Sequence, residues 1–357
     1  MLYFEHQPFP DFSHAFTVNA HAIQHHQIHV AVALLHAGKT VAFPTETVYG
    51  LGADASNPDA IKQIFEIKGR PTTHPLIVHI ADKSQLETWA TNIPPAAWRL
   101  AEQFWPGPLT LILPRRSNVL DAITGGQDTV GLRVPDHPVA AALLRAFGGG
   151  IAAPSANRFG RVSPTTAQHV RDELGSRVGM ILDGGPCHVG VESTIVGLTT
   201  GKAVLLRPGG LSIVAIEHVL KQKLLRTSPA VRTERVSGML DSHYAPATPI
   251  EILPVGALWQ RALQLAWKGQ KIAVLKHGNN GECFDSIGIT TFYMPSSAKE
   301  YAHQFYATLH RLDHGSFDCL LIEAPPATHE WLAINDRMRR AAHGAIKENN
   351  FPQGVNS

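Results

Sequence analysis

The chain has 357 residues, of which 44% are hydrophobic and 17% charged, and it carries a formal net charge of +2. This composition excludes an intrinsically disordered chain and predicts a folded protein long enough for two domains. No apolar run approaches the roughly 20 residues that span a bilayer, and the N-terminus lacks the basic and apolar regions of a signal peptide, so we expect a cytoplasmic protein with no membrane partner.

Cysteine and histidine are the residue types that most often bind metals, and neither forms a persuasive site here. The cysteines lie far apart and include no CxxC pair, which argues against a zinc ribbon and a disulfide framework. His21, His25 and His29 recur every four residues, so a helix would place them on one face. No carboxylate lies near them in the sequence, so we predict an ordinary helix face and no protein metal site.

Residues 20–224 alternate short strands and helices in the order of a mixed α/β domain. The first helix ends before Gly38, and Asn57-Pro58 supplies the cap and first turn of the second. The predicted strands are Thr40–Phe43, Leu76–Ile80, Leu109–Leu113, Val130–Val134, Ile151–Ala153, Met180–Leu182, Thr194–Gly197 and Ala203–Arg207. The predicted helices are His21–His36, Pro58–Lys68, Lys83–Ala90, Pro94–Phe104, His137–Phe147, Thr165–Leu174 and Ser212–Leu224. This order predicts a twisted mixed sheet flanked by helices.

Residues 225–249 are polar, contain prolines and lack the regular spacing of apolar residues that predicts a helix or a strand. We assign them to a linker. A second series of strands and helices over residues 250–345 predicts a smaller, open α/β domain of Rossmann-like type with a largely parallel sheet. Its predicted elements are the strands Ile250–Leu253, Ile272–Leu275, Thr290–Met294 and Leu320–Glu323, and the helices Ala257–Trp267, Ala298–His314 and Ala333–His343. It contains no GxGxxG, so dinucleotide binding is not predicted.

Polar residues follow several predicted strands and helices of the first domain. The first strand runs into the loop Pro44–Gly52, PTETVYGLG, which is explained either as an ordinary βα turn or as part of a ligand site. Lys68 and Arg70 lie at the C-terminal end of a helix, where cations either complement the helix dipole or bind phosphate. His79 lies near the end of a strand, and a lone histidine there is either a core residue or a hydrogen-bond partner for a small hydroxyl.

Arg133 lies in an apolar strand, and a buried charge costs several kcal/mol unless it is paired. Either an internal carboxylate or a ligand carboxylate must therefore meet it. Ser163 precedes a predicted helix and is a candidate N-cap or part of an anion site. Further polar loops follow at Ser155–Asn157, Glu192–Thr194 and Arg207. No GxSxG, Cys/His pair or Walker A motif accompanies them, so the sequence offers no protein nucleophile.

Taken in order, these segments resemble the YrdC-like domain of threonylcarbamoyl-AMP synthases. The resemblance covers residues 40–210 through PTETVYGLG, KGRP with HPLIVHI, PGPLT, GLRVPDH, APSANRFGRVSPT, EST and LRPGG. HYAP at 243–246, followed by a second α/β domain, resembles the longer, two-domain form. The resemblance implies synthesis of threonylcarbamoyl-AMP from L-threonine, bicarbonate and ATP with release of pyrophosphate, the first step of threonylcarbamoyladenosine formation in tRNA. It also implies Mg²⁺ with ATP, and the tRNA threonylcarbamoyl-transfer machinery as a downstream partner, and it leaves weak RNA binding open.

The same resemblance implies the site residues, with Lys68 and Arg70 as the catalytic cations. The implied ATP contacts are Lys68, Arg70, His74, Thr129, Ser155, Asn157, Ser163, Arg207 and Tyr244, the last of them in the linker, which would act as a lid. The implied threonine contacts are Thr47, His79, Arg133, Ala153 and Ser193. His74 departs from the family pattern, which usually has asparagine at this position, so its contact with the nucleotide is in question.

Two other functions are compatible with this fold. A carbamoyltransferase-type relative would carry acylphosphatase-like and CxxC zinc-finger segments, and this sequence has neither. A non-enzymatic module that binds double-stranded RNA or tRNA would present a basic face, which a net charge of +2 does not indicate. The ordered set of polar loops favours the synthase over both.

Overall fold

The apolar runs of the first part of the chain form one ten-stranded mixed sheet, with strand order β10-β9-β8-β4-β5-β3-β6-β2-β1-β7. The computed structural model describes residues 26–226, 235–238, 244–278 and 288–342. The strands of this sheet are β1 Val41–Phe43, β2 Gly50–Asp54, β3 Ile77–His79, β4 Leu109–Pro114, β5 Thr129–Arg133, β6 Ile151–Ala152, β7 Met180–Ile181, β8 Thr194–Gly197, β9 Val204–Arg207 and β10 Leu225–Arg226. The sheet contains both parallel and antiparallel pairs, so the predicted mixed sheet is confirmed.

Helices flank this sheet, as predicted. They are α1 at residues 26–36, α2 Pro58–Lys68, α3 Leu86–Trp89, α4 Pro95–Phe104, α5 Asp121–Thr124, α6 Pro138–Phe147, α7 Ala167–Leu174 and α8 Ile213–Leu220. The start and stop of α2 follow from its sequence: the Asn57 side chain accepts from the first-turn amides, and Gly69 ends the helix at a φ of 63°. Local signals of this kind predict the observed first and last residues of α2.

Several predicted boundaries are wrong. Gly50–Asp54 forms a strand and is not part of a loop, because Gly50 pairs with Phe43 in a hairpin. Gly52 is required there, since a Cβ atom would lie 2.7 Å from the Phe43 ring. The helix predicted from Thr165 begins at Ala167. The predicted helix Ser212–Leu224 ends at Leu220, because the next residue adopts a left-handed conformation with a φ of 54°.

The second part of the chain forms a four-stranded sheet in the order β11-β14-β12-β13, and every pair is parallel. Its strands are β11 Ile250–Leu253, β12 Ile272–His277, β13 Ile289–Met294 and β14 Cys319–Glu323, and its helices are α9 Val255–Ala266, α10 Ala298–Asp313 and α11 Leu332–Ala342. The predicted open, parallel α/β fold is confirmed. Within the described residues, no helix is both long and apolar enough to cross a membrane.

Polar contacts tie α10 of the second domain to the loop and helix after β6. Arg161 forms an ion pair with Asp313 at 2.7 Å, and Asp313 also accepts from the backbone amide of Thr248 in the linker. His169 stacks on His310 with ring centroids 3.9 Å apart. The two domains therefore meet through these polar groups and through an apolar cluster that Val48 and Val162 share with the second domain.

The histidine repeat of α1 is only partly within the described residues. His21 and His25 lie outside them, whereas His29 is described and is exposed on α1. The prediction that these side chains form an ordinary helix face stays a prediction.

Gly209 and Gly256 offer a matched test of how backbone packing limits the fold. A Cβ atom on Gly209 would collide with the backbone of residues 192–194, whereas Gly256 in α9 has open space around it. We expect Gly209→Ala to lower the free energy of unfolding by about 1–3 kcal/mol. Gly256→Ala should raise it by about 0.5–1 kcal/mol, because alanine reduces the entropy of the unfolded chain. Equilibrium denaturation measures both, and equal effects of the two substitutions would contradict the packing.

The His169–His310 stack predicts a loss of stability in mild acid. Burial, with a contribution from His310, lowers the pKa of His169 to about 4, and burial likewise lowers the pKa of His310 to about 4. Unfolded histidines titrate near 6.5, so between about pH 6.5 and 4 the unfolded chain binds more protons and unfolding is favoured as the pH falls.

Solvent screening of the partly exposed His169 reduces the size of this effect, and we expect a loss of about 2 kcal/mol over the window from pH 6.5 to 4. His169→Gln should remove a large share of that loss, because glutamine does not titrate. Urea titrations at several pH values measure the free energy of unfolding of both proteins. If its pH dependence is the same in the variant, the His169–His310 stack is not the cause of the loss.

Candidate active site

A single cleft collects polar side chains from strand ends of the large sheet and from the linker. All five residues predicted to hold threonine line it, and so do four of those predicted to contact ATP. The lining residues from the two predicted sets are Thr47, His79, Arg133, Ala153 and Ser193, and Arg70, Ser155, Arg207 and Tyr244. Loops that are distant in the sequence thus share one pocket.

The loop after β1 is held by local hydrogen bonds where it enters the cleft. Thr45 Oγ1 accepts from the backbone amides of Thr47 and Val48, each at 3.2 Å, and lies 2.8 Å from the Thr47 hydroxyl. This turn buries Thr47 and aims its hydroxyl at Arg133, whose Nη2 donates to it at 2.9 Å. The alternatives of an ordinary turn and a ligand site are therefore not exclusive, because the turn places a cleft residue.

Arg133 has an internal carboxylate as its partner. Its Nη2 lies 2.7 Å from Oε1 of Glu46, and both side chains are almost fully buried. Glu46 Oε2 in turn accepts from the amide of Asp136 at 3.0 Å. Of the two partners that the sequence left open, the structure contains the internal one. The hydrogen bonds of Arg133 within the described residues use Nε and Nη2 and leave Nη1.

His79 lies beside Arg133 because β3 and β5 pair in parallel, with these two residues in register. Its Nδ1 is buried and has no hydrogen-bond partner among the described residues. Burial, followed by the charge of Arg133, lowers the pKa of His79 to about 3. The ring is therefore neutral at physiological pH and can exchange one hydrogen bond with a ligand.

Arg70 and Arg207 form the opposite part of the cleft and meet at the linker. Arg70 Nη2 donates to the Ser237 hydroxyl at 3.2 Å, and Arg207 Nη1 donates to the Ser237 carbonyl at 2.9 Å. Arg207 also donates to the carbonyl of Ser193 through Nε and Nη2. Burial lowers the pKa of Arg70 to about 10 and also lowers that of Arg207. Within the described residues, neither guanidinium forms an ion pair.

Lys68 and Asn157 lie beneath the cleft and do not line it. The Lys68 ammonium donates to the carbonyl of Ser155 at 2.6 Å and to the carbonyl of Asn157. Burial, and then the charge of Arg70, lowers the pKa of Lys68 well below its usual range. Asn157 donates to the carbonyls of residues 158 and 161. Both side chains therefore hold the loop that presents Ser155, and direct contact of either with a phosphate stays a prediction.

The other predicted ATP contacts also lie away from the cleft. Ser163 is not the N-cap of α7, because Thr166 accepts from the first-turn amide of His169. The Ser163 hydroxyl instead donates to Glu192 at 2.7 Å. Thr129 lines a neighbouring groove that residues 235–237 of the linker help to form. His74 packs edge-on against the ring of residue 159 with centroids 5.4 Å apart.

Glu192 lines the cleft, although its position in the sequence predicted no specific role for it. Its carboxylate accepts from Ser163, from Tyr306 at 3.1 Å and from Arg337 at 2.6 Å, the last two from α10 and α11. Burial alone would raise the pKa of Glu192, but Arg337 and Arg207 lower it to about 2. The sequence does contain one signal, which is that Arg337 lies at a position of α11 where its neighbours face a core. That position predicts a buried partner for Arg337 but does not identify it as Glu192.

Comparisons with known proteins identify the family of this chain. Residues 33–209 match the Sua5–YciO–YrdC family model, described as "Telomere recombination", and residues 211–343 match "Threonylcarbamoyl-AMP synthase, C-terminal domain". Threonylcarbamoyl-AMP synthases of Pyrococcus abyssi and Bacillus subtilis are each 41% identical over 90% of this chain and over 95% and 94% of their own lengths. The crystal structure of P. abyssi Sua5 complexed with L-threonine has a TM-score of 0.81 and 40% identity, and the match covers 88% of this chain and 94% of that one. The chain thus belongs to the threonylcarbamoyl-AMP synthase family, in its two-domain form.

Proposed function

We propose that the protein synthesises L-threonylcarbamoyl-AMP from L-threonine, bicarbonate and ATP in this cleft and releases pyrophosphate. The observation that carries the proposal is the state of Arg70 and Arg207. Both are buried and bound only by neutral acceptors, with no ion pair to a carboxylate of the described residues. Buried cations that lack anions favour an anionic ligand, and a triphosphate is the anion that this family's reaction requires.

We place threonine at the other end of the cleft, beside Arg133. Nη2 of Arg133 is held by Glu46 and Thr47, so Nη1 would bind the substrate carboxylate. The neutral ring of His79 would hydrogen-bond the threonine hydroxyl through Nδ1, which has no partner among the described residues. Such a site should strongly reject valine, whereas serine lacks only a methyl group worth about 1–3 kcal/mol. The threonine complex of the P. abyssi relative supports threonine as the ligand of such a cleft.

The reaction needs positioning and charge neutralisation more than a protein nucleophile. The neutral threonine amine forms a bond to the carbon of CO2 and loses a proton, or to the carbon of bicarbonate with loss of water, and either route gives a carbamate. A carbamate oxygen then attacks the α-phosphorus of ATP, the bond from that phosphorus to the oxygen bridging to the β-phosphate breaks, and pyrophosphate leaves. Arg70 and Arg207 would offset the charge that develops on the phosphates. Lys68 would keep Ser155 in place by holding its loop.

The described residues do not fit a protein-bound magnesium site. Glu192 lines the cleft and Glu46 lies behind Arg133. Both carboxylates are engaged by arginines, Arg337 and Arg133, and the described residues include no cluster of three metal-binding side chains. We propose that Mg²⁺ enters on the phosphates of ATP, with water as its other ligand. The linker would close over the product, a labile mixed anhydride, until the tRNA threonylcarbamoyl-transfer machinery of the cytoplasm accepts it. Weak binding of RNA by this chain stays a prediction.

Pyrophosphate release tests the proposal directly. The purified chain should release pyrophosphate only when ATP, threonine and bicarbonate are all present. Arg70→Met and Arg207→Met should each lower kcat/KM for ATP by about 100-fold or more, since each removes a preorganised cation from the phosphates. Arg158→Met is the matched control, because Arg158 is exposed and pairs with Glu173 outside the cleft.

Each alternative function gives a different result in the same assay. Pyrophosphate release that persists without threonine would overturn the synthase proposal. Activity with carbamoyl phosphate in place of bicarbonate would favour a carbamoyltransferase. Retention of a double-stranded RNA without any pyrophosphate release would favour the binding module.

The Glu46–Arg133 pair yields a second prediction. Glu46→Gln keeps the shape of the side chain but leaves the buried charge of Arg133 uncompensated, which should lower the free energy of unfolding by about 3 kcal/mol. Saturating threonine should restore part of this loss, because its carboxylate supplies the missing charge. Thermal unfolding with and without threonine measures both effects. If threonine stabilises the variant no more than the unsubstituted protein, the placement of its carboxylate on Arg133 is wrong.

A further inference from the structure

The second domain places two side chains against residues that line the cleft. Arg337 of α11 is fully buried, and its Nε donates to Glu192 at 2.6 Å, while its guanidinium lies 5.1 Å from the centroid of the Tyr244 ring. Tyr306 of α10 donates to the same carboxylate at 3.1 Å and packs against the same ring with centroids 5.7 Å apart. Two residues of the second domain therefore hold the same two residues of the cleft.

Glu192 is held so completely that it is available for support and not for binding a ligand. Oε1 accepts from Ser163 and Tyr306, and Oε2 accepts from Arg337 and Tyr306. A buried carboxylate with both oxygens engaged fixes the backbone that carries it. The consequence falls on the next residue along the chain, Ser193.

Ser193 passes this constraint to the nucleotide end of the cleft. Its carbonyl accepts from Arg207 through Nε at 3.2 Å and Nη2 at 2.9 Å, and its hydroxyl accepts from Nη2 as well. The amide of Gly210, three residues after Arg207, donates to the Glu192 carbonyl at 2.9 Å and joins the loop before β8 to the loop after β9. The contacts of Arg337 thus reach Arg207 through a short chain of buried hydrogen bonds.

Tyr244 forms a second route from Arg337 to the same cation. The Tyr244 ring is buried between Arg337 and the linker residue Gly238, where an added Cβ atom would collide with the Tyr244 hydroxyl. The adjacent Ser237 accepts from both Arg70 and Arg207. Displacing Arg337 would therefore loosen both supports of the phosphate end.

The threonine end of the cleft has its own support. Arg133 and Thr47 are held by Glu46 and by each other, and these contacts involve no residue of the second domain. Loss of Arg337 should therefore affect the two ends of the cleft unequally.

We propose that Arg337 is a positioning residue of the active site, which holds Glu192 and Tyr244 so that Arg207 is in place for ATP. The second domain then completes the nucleotide end of the cleft and is not a separate module. This inference rests on the proposed synthase function, because it assigns ATP to the Arg207 end and threonine to the Arg133 end.

Substitution of Arg337 tests this role through a difference between the two substrates. Arg337→Met should raise KM and Kd for ATP by about tenfold or more and leave KM for threonine within about twofold, since only one end of the cleft loses its support. Arg337→Lys should give an intermediate value, because lysine keeps the charge but not the rigid fork. KM values come from pyrophosphate release, and Kd from calorimetric titration with ATP alone.

Arg161→Met is the matched control, because Arg161 forms a domain-crossing ion pair with Asp313 and does not line the cleft. It should leave both KM values within about twofold. An equal rise in both KM values for Arg337→Met, an unchanged ATP affinity, or the same ATP effect from Arg161→Met would each overturn the proposal.

If Arg337→Met does not fold, Tyr306→Phe replaces it, because this change removes the hydroxyl that donates to Glu192 and keeps the ring. It should raise KM for ATP alone, by about two- to fivefold. No change in KM for ATP would overturn the proposal.

The unsubstituted protein separates this inference from the function on which it rests. If it neither binds ATP nor releases pyrophosphate, the synthase proposal fails. If it does both and the Arg337 variants match it, the synthase proposal stands and only the positioning role is lost.

Discussion

Burying a guanidinium group costs several kcal/mol unless acceptors meet its donors, and this cleft buries Arg70, Arg133 and Arg207 together. The chain supplies two kinds of hydrogen-bond acceptor to these arginines. Arg133 has a carboxylate, Glu46, whereas Arg70 and Arg207 have only carbonyl and hydroxyl oxygens among the described residues. The distribution of anions among these cations decides which end of the cleft has positive charge left for a ligand.

The same constraint explains where the second domain packs: Glu192 would be as costly alone as a buried arginine, and α10 and α11 supply its partners. A wholly apolar interface could hold the domains together but would leave Glu192 without its ion pair to Arg337.

Local signals in the sequence predicted most of the elements. Asn57, Pro58 and Gly69 determine α2 by capping chemistry that acts within a few residues, and apolar runs such as that of β4 locate central strands. The failures lie where a distant partner overrides the local pattern. Gly52 looks like a turn residue, yet it serves a strand because the ring of residue 43 occupies the space above it. Ser163 has the sequence position of a helix cap, yet a distant carboxylate takes its hydroxyl.

The candidate site divides along the same line. That Arg133 needs a partner follows from its apolar strand, but Glu46 as the partner follows from the pairing of strands and the turn after β1, which no local pattern contains. The resemblance to the family assigned Arg70, His79 and Arg207 to one pocket, but it predicted neither their distances nor their hydrogen-bond partners. It gave no role to Arg337, because that residue acts through a neighbouring carboxylate and not on a ligand.

Ser237 of the linker supplies acceptors for the remaining cations of the cleft. Its hydroxyl accepts from Arg70 and its carbonyl from Arg207, the two cations proposed to bind phosphate. Each such bond has a cationic donor and contributes about 1.5–3 kcal/mol net, and an anionic oxygen adds the attraction between opposite charges. A triphosphate can therefore bind these arginines more strongly than a neutral ligand can. The linker thus keeps two buried charges hydrogen-bonded to protein oxygens and in place for an anionic ligand.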